Sequence, residues 1–292
     1  MKASIRKIVG KLRRKRTDST STSQKKARRR RPSGRAKVGR DVTGQTVFAD
    51  RALHFQSLSI TEVDLPTIQH PETIEGAAFK IRVAKRTGAR RDASTLVHEK
   101  YATRGYAVPF TNDKPRVFTF IAYDEGQVVG TVSVGMDSSK GLFADGLYRD
   151  EIDRLRSEGN RVCEFTRLAV DRSTASKRVL AGLFHTAYLF ACRIRGCTHA
   201  VIEVNPRHVL FYGKELKFDV LGPERLDTRV NAPAVLLCVS FAAIAQSLAK
   251  HAGRRAPAGG KRTLFNYGFA ADEELGVLHR LTELVAQAQQ SR

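Results

Sequence analysis

From about Phe79 onward, short runs of apolar and β-branched residues alternate with longer stretches in which apolar residues return every three or four positions. The first pattern belongs to strands and the second to helices, so the alternation predicts an α+β (α/β-like) chain built around one sheet. "FKIRVAKR" predicts a first strand, and "TGARRDASTLVHEKYATRGY" the helix or loop after it. "RVFTFIAYDEGQVVGTVSVGMD" holds two β-rich runs joined at Asp124-Glu125-Gly126, a hairpin signal. In "GLYRDEIDRLRSEGN", Leu147, Ile152 and Leu155 predict a short amphipathic helix that Gly159-Asn160 ends.

The next run, "VCEFTRLAVD", is a buried strand by composition that carries Glu164 and Arg167 in its middle. "STASKRVLAGLFHTAYLFACRIRG" follows as the central helix, with Ser173, Thr174 or Ser176 as its N-cap and Gly196 beyond its end. "THAVIEV" predicts another buried strand, "NPRHVLFYGKELKF" a short helix and "APAVLLCVSF" a late strand; "AGRRAPAGGKR" is a linker and "DEELGVLHRLTELVAQAQQ" a terminal helix. Residues 41 to 75 carry no clear pattern, although "SLSITEVDLP" can add an edge strand. The expected organisation is a basic tail over 1–40, one domain over 41–250, and a linker with a C-terminal helix over 251–292.

Charge changes the picture at the N-terminus. The 292 residues carry a net charge of +22, from 51 Lys/Arg and 29 Asp/Glu, and residues 1–40 hold 17 of the basic residues against Asp18 alone. A segment so basic and so poor in large apolar side chains is expected to be disordered. Ile5, Ile8, Val9 and Leu12 nonetheless fall on one helical stripe within residues 3–16, a pattern that suits an anionic membrane surface more than nucleic acid. The four cysteines lack paired spacing, so no disulfide framework and no metal site is expected. No apolar run approaches the roughly 18 residues of a spanning helix. The expected location is the cytoplasm, with the tail able to rest on the inner membrane.

Side chains alternate along a strand, so Glu164 and Arg167 are expected to point to opposite faces, each with its own partner. A carboxylate buried in mid-strand has its pKa raised and suits a general base for an amine nucleophile, although a satisfied structural ion pair or an edge position explains it equally. Ser173, Thr174 and Ser176, with Lys177 and Arg178, offer hydroxyls, helix N–H groups and cations to an anion such as a phosphate. The same residues also read as an ordinary helix cap. In "NPRH", Asn205 can cap a helix whose first position is Pro206.

The order of strand pair, strand, long helix, strand, short helix and last strand resembles the GCN5-related N-acetyltransferase (GNAT) fold. More narrowly, "GLFADGLYRDEIDRLRSEGNRVCEFTRLAVD", "LFHTAYLFA", "VIEVNPRHVLFYGKELKFDVLGPERL" and "NAPAVLLCVSF" resemble the long-chain N-acyl amino acid synthase family of the FeeM type, a relative of the autoinducer synthases. The resemblance implies transfer of a long acyl chain from the phosphopantetheine thioester of an acyl-carrier protein to the amino group of a free amino acid, with no bound cofactor. It implies Glu164 as the group that receives or relays the amine proton, and Arg167 as a holder of the fold or of the amino acid's carboxylate. Tyr212 matches the tyrosine that often protonates the leaving thiolate in the wider fold. His208, as a further catalytic group, and Asn205 and Arg207, as substrate-binding groups, stand beside the splayed strands that admit the donor arm. The residues from Ser173 to Arg178 would meet that arm. "RSTASK" lacks the glycines that wrap the pyrophosphate of coenzyme A, which favours a carrier protein over acyl-CoA; carrier proteins are acidic, and Arg172, Lys177 and Arg178 would attract one. Two other readings fit the same residues: an acetyl-CoA-dependent small-molecule N-acetyltransferase, and an inactive acyltransferase-like module that binds membrane or nucleic acid.

Overall fold

The Asp124-Glu125-Gly126 signal closes a two-residue hairpin between β3 (Val117–Asp124) and β4 (Gln127–Met136). Glu125 and Gly126 both take positive φ, 47° and 81°, the twist that lets strands pair across so short a loop. The structure, a computed structural model, describes residues 46–51, 78–84, 87–102, 117–171, 177–254 and 263–290. The expected tail, the N-cap residues Ser173, Thr174 and Ser176, and the stretch "SLSITEVDLP" lie outside them.

Around the hairpin runs a nine-stranded sheet. β1 (Thr46–Arg51) and β2 (Ala78–Val83) precede β3 and β4, and β5 (Val162–Val170), β6 (His199–Val204) and β9 (Ala232–Ser240) follow. Neighbours are antiparallel except β5 and β6, which run parallel through a crossover. The short β7 (Asp219–Val220) and β8 (Arg225–Asp227) both pair with β9.

Helices cover both faces. One face carries α3 (Lys177–Tyr188), continued by a wider turn over Leu189–Ile194, together with α4 (Val209–Leu216), α5 (Phe241–His251) and α6 (Ala271–Gln290). Phe120, Phe165, Leu183, Tyr188, Leu237 and Val277 meet there in one apolar core. The other face carries α1 (Thr87–Ala102), whose Leu96 and Val97 pack on Ala169, and α2 (Asp145–Ser157), whose Tyr148, Ile152 and Leu155 pack on Val162, Val201 and Leu236.

The C-terminal segment is integral to residues 39–292, which form one unit. Val277, Leu281 and Leu284 of α6 are buried, and Arg280 Nε donates to the Val47 carbonyl of β1 at 2.8 Å. β1 and α5 were not anticipated. Ser240, which ends β9, caps α5 by accepting from the Ala243 N–H, so strand and helix join without a loop signal between them. Among the described residues no helix is long and apolar enough to cross a membrane.

Candidate active site

β5 does not alternate as expected. Ser133 of β4 pairs with Thr166, but Thr131 pairs with Ala169, so β5 spends three residues where β4 spends two. The surplus residue is a β-bulge, and Arg167 sits in it with φ +53°, a left-handed conformation rare for a long side chain. The bulge flips the faces beyond it: Val170 joins the core of Phe165, while Ala169 turns to α1. It also corrects the expectation for Arg167, whose guanidinium lies 5.7 Å from the Phe143 ring centroid, on the Glu164 side of the sheet. Burial pulls its pKa below the ordinary arginine value, opposed by Tyr101 and Glu164.

Glu164 is 1% exposed. Its Oε2 accepts from the Phe143 N–H at 2.7 Å and the Ala144 N–H at 3.4 Å. Burial, and then the charge of Glu203, push its pKa up to about 8, against the two N–H groups and Arg229, which pull it down. A carboxyl group in this state exchanges its proton near neutral pH, as a general base for an amine must.

The loop that supplies those N–H groups is fixed by charge. Arg156 of α2 makes paired bonds to Asp137 (2.8 and 2.9 Å) and to Asp145 (2.7 and 2.8 Å), drawing both ends of residues 137–145 onto one guanidinium. Burial would raise the Asp145 pKa, but Arg156 and the Leu142 N–H hold it below the usual carboxylate range. Gly141 has φ +68°, and a Cβ there would collide with Asp145 Oδ2, so the loop favours glycine. A second cation ties the loop from the far side. Arg229, just past β8, donates to the Phe143 carbonyl at 2.9 Å, to Glu203 Oε2 at 2.6 Å and to both Asp227 oxygens at 2.8 and 2.9 Å. Phe143 thus touches Glu164 through its N–H, Arg229 through its carbonyl and Arg167 through its ring.

The sheet opens beside this cluster. β5 and β6 pair only from Val162–His199 to Glu164–Val201, and both strands continue past that last rung. Phe165, the next residue, turns to the opposite face and lines an apolar cavity with Phe184, Tyr188, Phe218 and Ile244 among its walls.

The other sequence candidates fall in three places. Tyr212 of α4 is buried in the core across the sheet from Glu164, its ring edge-on to Phe211 and to Phe184 and Phe218, which line the cavity. Asn205 is the cap it can be read as, accepting from the Arg207 N–H at 3.3 Å, and Pro206 occupies the first position of the turn. The exposed Arg207 donates to the His208 ring at 3.3 Å. Lys177 opens α3 with its Nζ 5.8 Å from the Tyr267 ring centroid. Arg178 is committed elsewhere: it bonds both Glu273 oxygens at 2.6 and 2.8 Å and the carbonyls of Tyr267 and Gly268, tying α6 to α3. A surface patch for an acidic partner therefore does not include it. Sequence reasoning missed Phe143, Ala144, Glu203, Asp227 and Arg229. Of these only Glu203 left a signal, a charge inside the strand-like "THAVIEV".

The pattern of N-acyl amino acid synthase FeeM matches residues 92–240, half of the chain. The chain belongs to the FeeM family. The solved FeeM synthase from uncultured soil microbes aligns with 57% of this chain and 93% of its own, at 25% identity and a TM-score of 0.53. An acyl-CoA N-acyltransferase from Pseudomonas aeruginosa (12% identity, 55% of this chain and 98% of its own, TM-score 0.40) and the acyl-homoserine lactone synthase LasI (15%, 57% and 91%, TM-score 0.35) also align. No curated protein matches. This FeeM-family chain shares the fold of the solved FeeM synthase and is an N-acyltransferase.

Proposed function

We propose that the protein joins a long acyl chain, delivered as the phosphopantetheine thioester of an acyl-carrier protein, to the amino group of an amino acid. The observation that carries the reading is Glu164, fully buried at the last rung before β5 and β6 part, with a pKa near 8. The thioester carbon lies in the gap between the strands, with the acyl chain in the cavity behind Phe165 and the acceptor on the Glu164 face. Oε2 is held by the loop, and Oε1, which has no hydrogen-bond partner among the described residues, takes the proton. The amine nitrogen attacks the thioester carbon, the N–C bond forms, the C–S bond breaks, and the pantetheine thiolate leaves with a proton from Tyr212. Arg167, brought to this side by the bulge, binds the acceptor's carboxylate. Cys163 faces the other core and burial raises its thiol well above the ordinary value, so the acyl group passes directly to the amine. The lack of glycines in "RSTASK" favours a carrier protein over free coenzyme A, and Lys177 would attract an acidic carrier.

The test is mass spectrometry of lipid extracts from a bacterial host that expresses the wild type or Glu164→Gln. New N-acyl amino acids with the wild type, absent with a folded Glu164→Gln, support the reading and name the acyl length and the acceptor. Soluble wild-type protein that yields no such lipid removes it and brings forward a short-chain acetyl-CoA donor.

A further inference from the structure

We propose that Glu203, held by Arg229, is the electrostatic partner that governs when Glu164 is free to act as the base. The inference rests on the assignment of Glu164 above. Val201 is the partner of Glu164 across the parallel pair, and Glu203 lies two residues further along β6, on the same face. One carboxylate therefore stands at the last rung on β5 and the other just past it on β6, flanking the opening from both strands. The link between them is short: Glu203 Oε2 to Arg229 Nη2, Arg229 Nη1 to the Phe143 carbonyl, and the Phe143 N–H to Glu164 Oε2.

The charges have a definite balance. Arg229 shares its cation between Glu203 and Asp227, which it holds by two bonds, so it offsets the negative charge of Glu203 only in part. From β5, Arg167 reaches Phe143 from its ring side. From α2, the Tyr148 hydroxyl donates to the carbonyls of Ala234 and Pro223 and, with its pKa pushed up to about 12 first by burial, carries no charge near neutrality. From α1, Tyr101 acts on Arg167. The backbone donors are the Phe143 and Ala144 N–H groups of the loop. Within this set Glu203 is the group that favours the protonated form of Glu164, and Arg229 favours the ionised form.

The two members of one ion pair should therefore move the base in opposite directions. A merely structural pair would not do so. The experiment follows the Glu164 carboxylate by carbon-13 NMR in labelled, full-length protein, assigned by its loss in Glu164→Gln, and compares the pH dependence of kcat/KM. In the wild type the resonance titrates near pH 8 and activity rises with pH through the same midpoint, because the ionised form is the base. In Glu203→Gln both midpoints should fall by about one pH unit. In Arg229→Gln they should rise. Glu203→Asp, which restores the charge, should bring the midpoint back toward the wild type. Midpoints that stay in place, or that move the same way in both variants, overturn the inference. Arg229 also holds Phe143 and Asp227; if Arg229→Gln does not fold, the comparison of Glu203→Gln with Glu203→Asp decides alone. An active Glu164→Gln would defeat the base assignment instead, whatever the midpoints do.

Discussion

Glu164 and Phe165 are neighbours in one strand, each 1% exposed, and they face opposite worlds. On the Glu164 side the surroundings are backbone N–H groups, the carboxylates of Asp137, Asp145, Glu203 and Asp227, and three arginines. On the Phe165 side they are aromatic rings and an apolar cavity. Each side has its own arginine clamp. Arg156 holds the loop that grips Glu164, and Arg178 holds α6 against α3. The difference separates two jobs that an amide-forming enzyme needs: moving a proton requires a charge made uneasy by burial, and holding an acyl chain requires a surface with no charge. Strand alternation delivers both surroundings from adjacent residues, and on the function proposed above the parting of β5 from β6 would let one substrate touch both.

The comparison breaks most visibly at Glu164. Glu164→Gln keeps the size and one acceptor oxygen for the Phe143 N–H but cannot take a proton, so kcat/KM should fall by about 10²–10⁴-fold with little change in the urea midpoint. Phe165→Leu, one residue away, should retain the pH profile of the wild type. A Glu164→Gln enzyme as active as the wild type would remove the proton-transfer role.

Next come the clamps. Arg156→Met leaves Asp145, whose side chain is 4% exposed, without its partner and should cost about 3 kcal/mol of stability, read from urea unfolding. Because the loop's N–H groups then lose their fixed aim, the activity midpoint should also move to higher pH. Arg178→Met should cost about 2 kcal/mol, since its carboxylate partner is 30% exposed, and should leave that midpoint where it is. If both variants shift the midpoint, the two faces are not independent.

How much of this was legible follows from what each feature owes to local sequence. The hairpin at Glu125-Gly126, α2 with its stop at Gly159, and β5 itself were readable, because turn residues and periodicity act over a few positions. The buried carboxylate Glu164 was readable as well, since a charge in mid-strand is conspicuous. The bulge was not: Arg167 is not a glycine, and nothing in "EFTRLAV" announces that one residue turns left-handed. Reading strict alternation there placed Arg167 on the wrong face. The grip on Glu164 was equally hidden, because Phe143 and Ala144 act through backbone N–H groups that every residue type owns. Arg229 reaches Phe143 across 86 positions, a distance over which only the folded sheet carries information. Arg178 shows the reverse error: a cation at a helix start looks like an anion site until α6 supplies Glu273.

A smaller effect sharpens the apolar side. Ala181 of α3 lines the cavity and is 4% exposed. Ala181→Leu should shorten the space and move the preferred donor to a shorter chain, with about a tenfold loss for a donor two methylenes longer than fits, at about 0.8 kcal/mol for each CH₂. Competition between acyl donors of different length, read by product mass, checks this. An unchanged product profile would place the acyl chain elsewhere.

The smallest effect concerns His185, the buried imidazole in the cavity wall. Its ring stacks on Phe269 at 4.6 Å, its Nδ1 accepts from the Phe269 N–H at 3.0 Å, and its Nε2 lies 3.2 Å from Glu274 of α6. Burial lowers its pKa below the ordinary 6.5, although Glu274 opposes that. Protonation would also put a hydrogen on Nδ1, turning it into a donor that faces the Phe269 N–H it now accepts from. The folded state therefore binds this proton less well than the unfolded chain does, so the contribution to stability is complete above the ordinary histidine pKa and is lost as pH falls below it. Glu274, held below its ordinary 4.5 mainly by its bond to His185, adds a separate loss only at lower pH. Melting curves at about pH 7.5 and about pH 5 should show the wild-type Tm falling a few degrees more than that of His185→Gln, whose side-chain oxygen can still accept from Phe269. Equal falls would mean that the imidazole is already free to ionise in the folded protein, and that α6 is held to this face by Arg178 and its apolar residues alone.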